Sequence, residues 1–360
     1  MPGRKDKDPM PQTFQFTAHG RVNLIGEHTD YNDGWVLPTA IPQKTLVRIT
    51  PTNGREIRCE SKQEGARSFI LGEERNTKSW IDYIQGATKI LADSGQQLQA
   101  FELYVESDVP VGSGLSSSAA LEIALLKSLR SAFQLQLRDE ELARIGQRIE
   151  NEFVGAKVGI MDQMACAFAS FGEALYLDTK TLEIERLKLP LDEAELLVIN
   201  SGVSHRNSDG GYNQRRSECE AACSALNIKS LREMQTSDLA NLEALPEILK
   251  RRARHVITEN QRVHDAVKAF KAKDLPRVGE LFFASHASMR DDYAVSVPEI
   301  DFLVELCRAQ KSIFGARLTG GGFGGSIVAL AKLGTHREVV PPILAEYEKK
   351  WGISAKLLSP

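Results

Sequence analysis

Chemistry-bearing residues fall in four short clusters. Pro110-Val-Gly-Ser-Gly-Leu-Ser-Ser-Ser-Ala119 joins two glycines to a run of three serines. Gly112 and Gly114 let the backbone turn its N–H groups toward one point. A helix starting after them adds unpaired donors and partial positive charge, which together suit a di- or triphosphate. Ser116, Ser117 and Ser118 add hydroxyls for phosphate or a metal ion. No Gly-Lys-Ser/Thr closes the run, so it is not a Walker A loop; a plain strand-to-helix turn with serine caps is the alternative.

The second cluster is Gly20-Arg-Val-Asn-Leu-Ile-Gly-Glu-His-Thr-Asp-Tyr-Asn-Asp-Gly34. Glu27, His28, Asp30 and Asp33 offer donors and acceptors for a polyhydroxylated ligand, with Arg21 as a fixed cation. The alternative is an exposed polar loop, since His28 and Asp30 alone make a poor metal site. In the third, Val158-Gly-Ile-Met-Asp-Gln163, Asp162 falls near an expected helix start, where the dipole favours a charged carboxylate, or where it is a plain cap. The fourth, Leu318-Thr-Gly-Gly-Gly-Phe-Gly-Gly-Ser326, holds five glycines within positions 320–325. That is more than one tight turn needs, and side chains there would block whatever approaches.

The elements that must carry these clusters are legible in part. Phe101, Leu103 and Val105 alternate with Glu102, Tyr104 and Glu106, the period of a half-buried strand leading into the first glycine loop. From Ser116 onward Leu121, Leu125, Leu129 and Phe133 recur every four residues, predicting a long helix with the serines as its N-cap. The pattern predicts helices over Trp80–Leu91 and Asp139–Phe153, a short helix near Asp162, and mostly helix over 214–310. Strands are predicted at Leu46–Thr50, Ser68–Leu71, Leu175–Leu177 and Leu196–Asn200, and strand, loop and strand around Leu318–Leu330. No internal repeat or low-complexity tract is present.

Composition excludes several classes of function. The 360 residues are 42% hydrophobic and 26% charged, ordinary for a globular chain with room for a large core. With 45 Lys and Arg against 48 Asp and Glu, a formal charge of -3, no basic field exists to hold nucleic acid or an anionic membrane. The short basic run Arg251-Arg-Ala-Arg254 is too isolated to alter that. Five scattered cysteines predict a reduced, cytoplasmic setting, with Cys219 and Cys223 as helix neighbours. The charged, Pro-punctuated first dozen residues read as frayed and have no apolar signal core, and no later window suits a membrane span. His255, His264 and His286 read as surface or helix-packing residues. Pro190 and the charged turn at Asp192 are the expected passage between two closely packed lobes.

In order and spacing, the motifs resemble those of the galactokinase branch of the GHMP small-molecule kinase family, from about Gly20 to Leu330. The likeness rests on GRVNLIGEHTDYNDG, PVGSGLSSSAAL, VGIMDQ and LTGGGFGG, with GGYNQRR (Gly210–Arg216) and SMRDDYAVSVPEID (Ser288–Asp301). It implies an α+β, two-lobed GHMP kinase fold, with mixed sheets, helices and the active site between lobes. The expected lobes are 13–178, with the sugar signature and phosphate loop, and 179–360, with the glycine-rich third motif. ATP with Mg²⁺ would be the phosphoryl donor and C1 of D-galactose the acceptor. Arg21 and Asp162 match the catalytic pair, and Glu27, His28, Asp30, Gly159, Asp162 and Tyr212 the sugar-binding positions. Gly112, Ser113, Gly114, Leu115, Ser116, Ser117 and Ser118 match the nucleotide loop. Ser118 and Glu150 are expected around Mg²⁺, and Trp80 against adenine.

The resemblance further implies small-molecule partners only, no nucleic acid or membrane, and a monomer is expected. Three positions depart from the family pattern: His19 for Pro, Val158 for Cys, and Gly211 for the acidic residue that commonly precedes the tyrosine. Gly211 beside Tyr212 would loosen the sugar end, so a kinase for N-acetylgalactosamine or L-arabinose is an alternative. A non-catalytic galactose and ATP sensor is another, disfavoured by the retained Ser118-Ala119, Arg21 and Asp162. A mevalonate-type kinase is disfavoured by the EHTDYN segment.

Overall fold

The alternation at 101–107 produces a strand whose Phe101, Leu103 and Val105 are buried while Glu102 is exposed. It sits inside the larger of two sheets in the computed structural model, which describes residues 12–203 and 208–359. The frayed segment expected at the N-terminus lies, through residue 11, outside them. The first half of the chain gives β1 (Phe14–Asn23), β2 (Trp35–Val36), β3 (Pro38–Pro51), β4 (Glu56–Ser61), β5 (Gly65–Ile70), β6 (Phe101–Ser107), β7 (Glu173–Asp178) and β8 (Ile184–Lys188). Their order is β2-β7-β3-β6-β4-β5, with β1 on β3 and β8 on β7. All pairs are antiparallel except β4 with β6.

Helices α1 (Asp82–Asp93), α2 (Ser117–Ala132), α3 (Asp139–Arg148) and α4 (Met161–Phe168) belong to this half, and α2 lies against β1 and β3. Leu125 and Leu129 are buried, as their spacing requires, and Leu121 is half-buried. The helix expected over Asp139–Phe153 breaks its hydrogen-bond pattern: α3 ends at Arg148, and a π-helical turn runs from Ile149 to Val154 before Gly155 at φ 94° closes it. A π turn shifts the following side chains relative to an α-helix, and here it carries Glu150.

The second half holds α5 (Ser208–Leu226), α6 (Glu247–Lys271), α7 (Leu275–Asp291), α8 (Pro298–Arg308) and α9 (His336–Trp351) around an antiparallel sheet. That sheet has the order β10-β11-β9-β12, from β9 (Ala194–Asn200), β10 (Ile313–Thr319), β11 (Ser326–Lys332) and β12 (Lys356–Ser359). Helix α7 approaches β10 where two glycines face each other: a Cβ on Gly279 would lie 2.0 Å from the Phe314 carbonyl oxygen. A first lobe ending at residue 178 parts β7 from β8, its hairpin partner. The chain changes sheets between Lys188 and Ala194, around Pro190.

Residues 14–23 drew no strand assignment in the sequence, yet β1 carries Arg21. His255 and His286 are buried and His264 is half-buried against Tyr176 and Trp35, so none is a surface residue. All five cysteines are free and buried. Among the described residues no helix is long and apolar enough to cross a membrane.

Candidate active site

Arg21 follows a register shift in the β1–β3 pairing between His19 and Arg21. Gly20 sits at that shift against the first glycine loop, where a Cβ would meet the Leu115 carbonyl oxygen at 2.8 Å. The Arg21 N–H donates to the same carbonyl at 3.1 Å. From there the guanidinium reaches Asp162 in the first turn of α4, with Nε to Oδ1 at 2.8 Å and Nη2 to Oδ2 at 2.7 Å. Its Nη1 donates to the Gly114 carbonyl at 2.6 Å. Burial opposes the charge on Arg21, but the adjoining Asp162 carboxylate outweighs it and holds the pKa above the ordinary value. The Arg21 charge is therefore paired with Asp162, and three of its guanidinium N–H groups are engaged within the protein.

Ser116 occupies the N-cap position of α2, at φ 61°, but its hydroxyl does not cap the helix. It donates to Asp162 Oδ2 at 2.6 Å instead. The first N–H groups of α2 are thus left for a ligand, contrary to the expected serine cap. Gly112 and Gly114 hold φ of 71° and 75°, and a Cβ on Gly112 would meet nothing within 4 Å. Ser113 and Leu115 are buried: the Ser113 hydroxyl donates to Pro110 O at 2.6 Å, and Leu115 belongs to the core. Their side chains shape the loop from behind. The glycine-rich third motif packs directly on it, since a Cβ on Gly320 would lie 2.6 Å from the Gly114 carbonyl oxygen, and Ser326 Oγ donates to Ser113 O at 2.8 Å.

Opposite the loop stand the remaining polar residues of the second cluster. Asp30 lies against Gly159 so closely that a Cβ there would be 1.8 Å from Asp30 Oδ2. Burial first, then the neighbouring Asp162 charge, pushes the Asp30 carboxyl up to about 6. Glu27 is buried and already accepts from Gly320 N at 2.9 Å, Asn23 Nδ2 at 2.9 Å and Arg317 Nη2 at 2.5 Å. Burial raises its pKa against the pull of Arg317. Arg317 is itself fully buried and also donates to the Leu24 carbonyl at 3.0 Å and to Ser285 at 3.1 Å. Nothing in the sequence marked Arg317 out, because a lone arginine in a strand has no pattern. His28 and Tyr212 complete this wall with ring centroids 5.4 Å apart.

Gly211, suspected of loosening this wall, is filled from outside: a Cβ there would sit 2.6 Å from the Phe323 ring. Phe323 is anchored through its N–H on the Val295 carbonyl at 2.6 Å. The missing side chain is thus space taken by Phe323.

These groups line one cavity of about 460 Å³ between the two halves of the chain, a size typical of small-ligand sites. Arg21, Glu27, His28, Asp30, Gly159, Asp162, Tyr212, Glu150 and the loop from Gly112 to Ser118, apart from buried Ser113, all border it. A second groove of about 850 Å³ adjoins it and shares Tyr83, Ser117, Ser118 and Val154. Trp80 lines that groove, its buried indole N–H without a partner. Lys157 also borders the first cavity and makes no ion pair among the described residues, whereas Arg21 is committed; a single lysine in a loop had given no signal. Glu150 stands beside Glu122, whose fully buried carboxyl is pushed well up by burial and then by the Glu150 charge. Glu122 Oε1 has no hydrogen-bond partner. Among the described residues no group of three or more His, Cys, Asp and Glu is placed to hold a metal ion.

Comparison with known proteins agrees with this arrangement. Residues 82–170 match the GHMP kinases N terminal domain and residues 266–349 the GHMP kinases C terminal domain. Residues 6–51 match the galactokinase galactose-binding signature. A galactokinase of Thermotoga petrophila is 40% identical over 336 residues, covering 93% of this chain and 94% of that protein. One of Chloroflexus aurantiacus is 45% identical over 331 residues, covering 89% and 84%. The chain belongs to the galactokinase family. In that family, the structure of Lactococcus lactis galactokinase complexed with galactose superposes with a TM-score of 0.94 at 34% identity, over 97% of this chain and 93% of that one. Methanococcus jannaschii mevalonate kinase, at a TM-score of 0.67 and 20% identity, shares the fold. The α+β, two-lobed GHMP architecture implied by the motifs is the one observed, and the chain is an enzyme of the galactokinase type.

Proposed function

We propose that this enzyme transfers the γ-phosphoryl group of ATP to the C1 hydroxyl of D-galactose, giving galactose 1-phosphate and ADP. The observation that carries the reading is the position of Asp162. Its carboxylate borders a sugar-sized, hydroxyl-matching wall on one side and is tied through Arg21 and Ser116 to a glycine loop on the other.

The reaction needs little covalent chemistry from the protein, because phosphoryl transfer is served by positioning and electrostatics. Asp30, His28, Tyr212 and the Gly159 backbone hold the sugar, while Glu27 braces that wall by gripping Gly320. Asp162 accepts a hydrogen bond from the C1 hydroxyl and so aims its oxygen. Two arginine bonds hold the carboxylate in place, so Asp162 orients first and takes the proton late, as the hydroxyl acidifies. The N–H groups of the loop and of α2 meet the phosphates, and Lys157 is the cation left for a phosphoryl oxygen. Trp80, which lines the adjoining groove, offers an aromatic surface for the base.

Mg²⁺ fits the donors present, which are hard oxygens: the Ser118 hydroxyl and the Glu150 carboxylate. A dication there would also offset the crowding of Glu150 against Glu122. When bound, it would draw charge from the phosphate oxygens.

The test is ADP release from Mg²⁺-ATP with D-galactose, galactosamine, N-acetylgalactosamine, L-arabinose, glucose and mevalonate. A preference for galactose of about 10-fold or more in kcat/KM, or ~1.4 kcal/mol at the transition state, is expected. A higher kcat/KM on another member of the panel would overturn the substrate assignment.

A further inference from the structure

Behind the sugar wall, four side chains form an unbroken line of polar contacts. His28 Nδ1 lies 2.8 Å from Tyr31 Oη, Tyr31 Oη 2.8 Å from Tyr293 Oη, and Tyr293 Oη 3.1 Å from Cys219 Sγ. Tyr293 and Cys219 are buried, and the Tyr293 ring sits 4.7 Å from that of His28 and 4.4 Å from that of His255. Arg215 pins the Tyr293 backbone through its carbonyl at 2.7 Å. The other nitrogen of His28, Nε2, is buried without a partner, on a ring that borders the cavity.

A phenol has one proton, so a tyrosine between two such neighbours donates to one and accepts from the other. The line therefore has only two proton orders. In the first, the Cys219 thiol donates to Tyr293, Tyr293 to Tyr31, and Tyr31 to His28 Nδ1, which leaves the imidazole proton on Nε2. In the second every bond reverses: Nδ1 carries the proton, Nε2 offers a lone pair, and the thiol proton loses the Tyr293 oxygen as acceptor. The first order sets the imidazole nitrogen, the best acceptor on the line, against a phenol proton, and leaves the buried Nε2–H as the donor without a partner.

We infer that Cys219, Tyr293 and Tyr31 fix His28 in its Nε2–H tautomer, so that His28 donates into the cavity to a substrate hydroxyl oxygen. Tyr31 and Tyr293 are then positioning residues for recognition of the sugar. Burial, which holds the His28 pKa down to about 3, keeps the ring neutral at working pH and leaves the tautomer as the variable. The identity of the ligand rests on the sugar-kinase reading; the place of the proton does not.

The experiment is a long-range ¹H–¹⁵N spectrum of the full chain labelled on its seven histidines, with His28→Gln to identify the signals. Expected is a protonated Nε2 and a bare, hydrogen-bonded Nδ1 in the sugar-free enzyme. In Tyr31→Phe the Nδ1 signal should move to the position of an unbonded lone pair, with the melting temperature within a few degrees of wild type. A protonated Nδ1 in the wild type, or an unchanged spectrum in Tyr31→Phe, would overturn the inference. A second arm compares deoxy- with deoxyfluorogalactoses, since fluorine accepts but does not donate. At one carbon the fluoro sugar should be favoured by about 5-fold in kcat/KM, a preference lost in Tyr31→Phe. Equal use at every carbon would overturn the donor role. If no sugar turns over while the Nε2–H signature stands, the substrate reading fails and the tautomer holds.

Discussion

Arg21 and Asp162 meet through two parallel hydrogen bonds of 2.8 and 2.7 Å, and the same guanidinium reaches the Gly114 carbonyl at 2.6 Å. One arginine thus ties the acid of α4 to the glycine loop, fixing the distance between the carboxylate proposed to receive the proton and the backbone proposed to meet the phosphates. Such a planar fork cannot be replaced by the point charge of a lysine.

Asp162→Asn keeps the volume and one acceptor but removes the charge. Turnover should fall by about 10² to 10⁴, while galactose affinity by calorimetry stays within about 3-fold. Arg21→Lys should lose turnover comparably and also raise KM for ATP, because the loop loses its tether. Near wild-type turnover in Asp162→Asn would remove both roles from that carboxylate.

Much of this site was legible in the sequence because it is built from local patterns. Gly112, Gly114 and the serine run announce a loop before a helix, and Asp162 announces a helix start. What was not legible depends on contacts between distant segments. Ser116 reads as a cap, but Asp162, 46 positions away, outcompetes the helix for its hydroxyl. Gly211 reads as an opening, yet Phe323 occupies it. The strand at 14–23 was missed because its outer half, from Phe14 to Thr17, has little buried apolar surface, and its inner half is buried continuously from Ala18 apart from His19. Glu150 is aimed by a π turn that helical periodicity does not reveal.

Substitution at Gly211 tests the packing directly. Gly211→Ala places a Cβ on the Phe323 ring, and overpacking of this kind costs about 1–3 kcal/mol. Thermal unfolding should show the loss, and Phe323→Leu in the same chain should recover most of it. A Gly211→Ala protein as stable as wild type would show that the ring yields freely.

Three buried groups make separable contributions to acid sensitivity. His28 and His255, with pKa values lowered from 6.5 to about 3 and about 4 by burial, stay neutral in the fold and take protons only on unfolding. Their contribution is therefore lost as pH falls below 6.5. Asp30, raised from 3.8 to about 6 by burial, works the other way, holding in the fold a proton that the unfolded chain releases. Between about pH 4.5 and 6 the two histidines favour the unfolded chain on acidification, while Asp30, together with the Glu27 and Glu122 carboxyls that burial also raises, opposes them. Melting temperatures of variants across that range separate the contributions. Relative to wild type, His255→Gln should lose less stability on acidification and Asp30→Asn should lose more.

The metal assignment predicts separable effects. Chelation with EDTA should abolish turnover and added Mg²⁺ restore it. Glu150→Gln should raise the Mg²⁺ concentration for half-maximal rate by about 10-fold or more, with galactose binding unaltered. An unchanged Mg²⁺ requirement in Glu150→Gln would move the ion elsewhere.

The most direct measurement is the identity of the product. The protein, Mg²⁺-ATP and D-galactose are mixed and followed by ³¹P NMR with proton coupling retained. The account predicts a sugar monophosphate whose phosphorus couples to the anomeric proton, appearing with ADP in equal amounts and absent in Asp162→Asn. A phosphate coupled to the C6 protons, or ADP formed without any sugar phosphate, would contradict it.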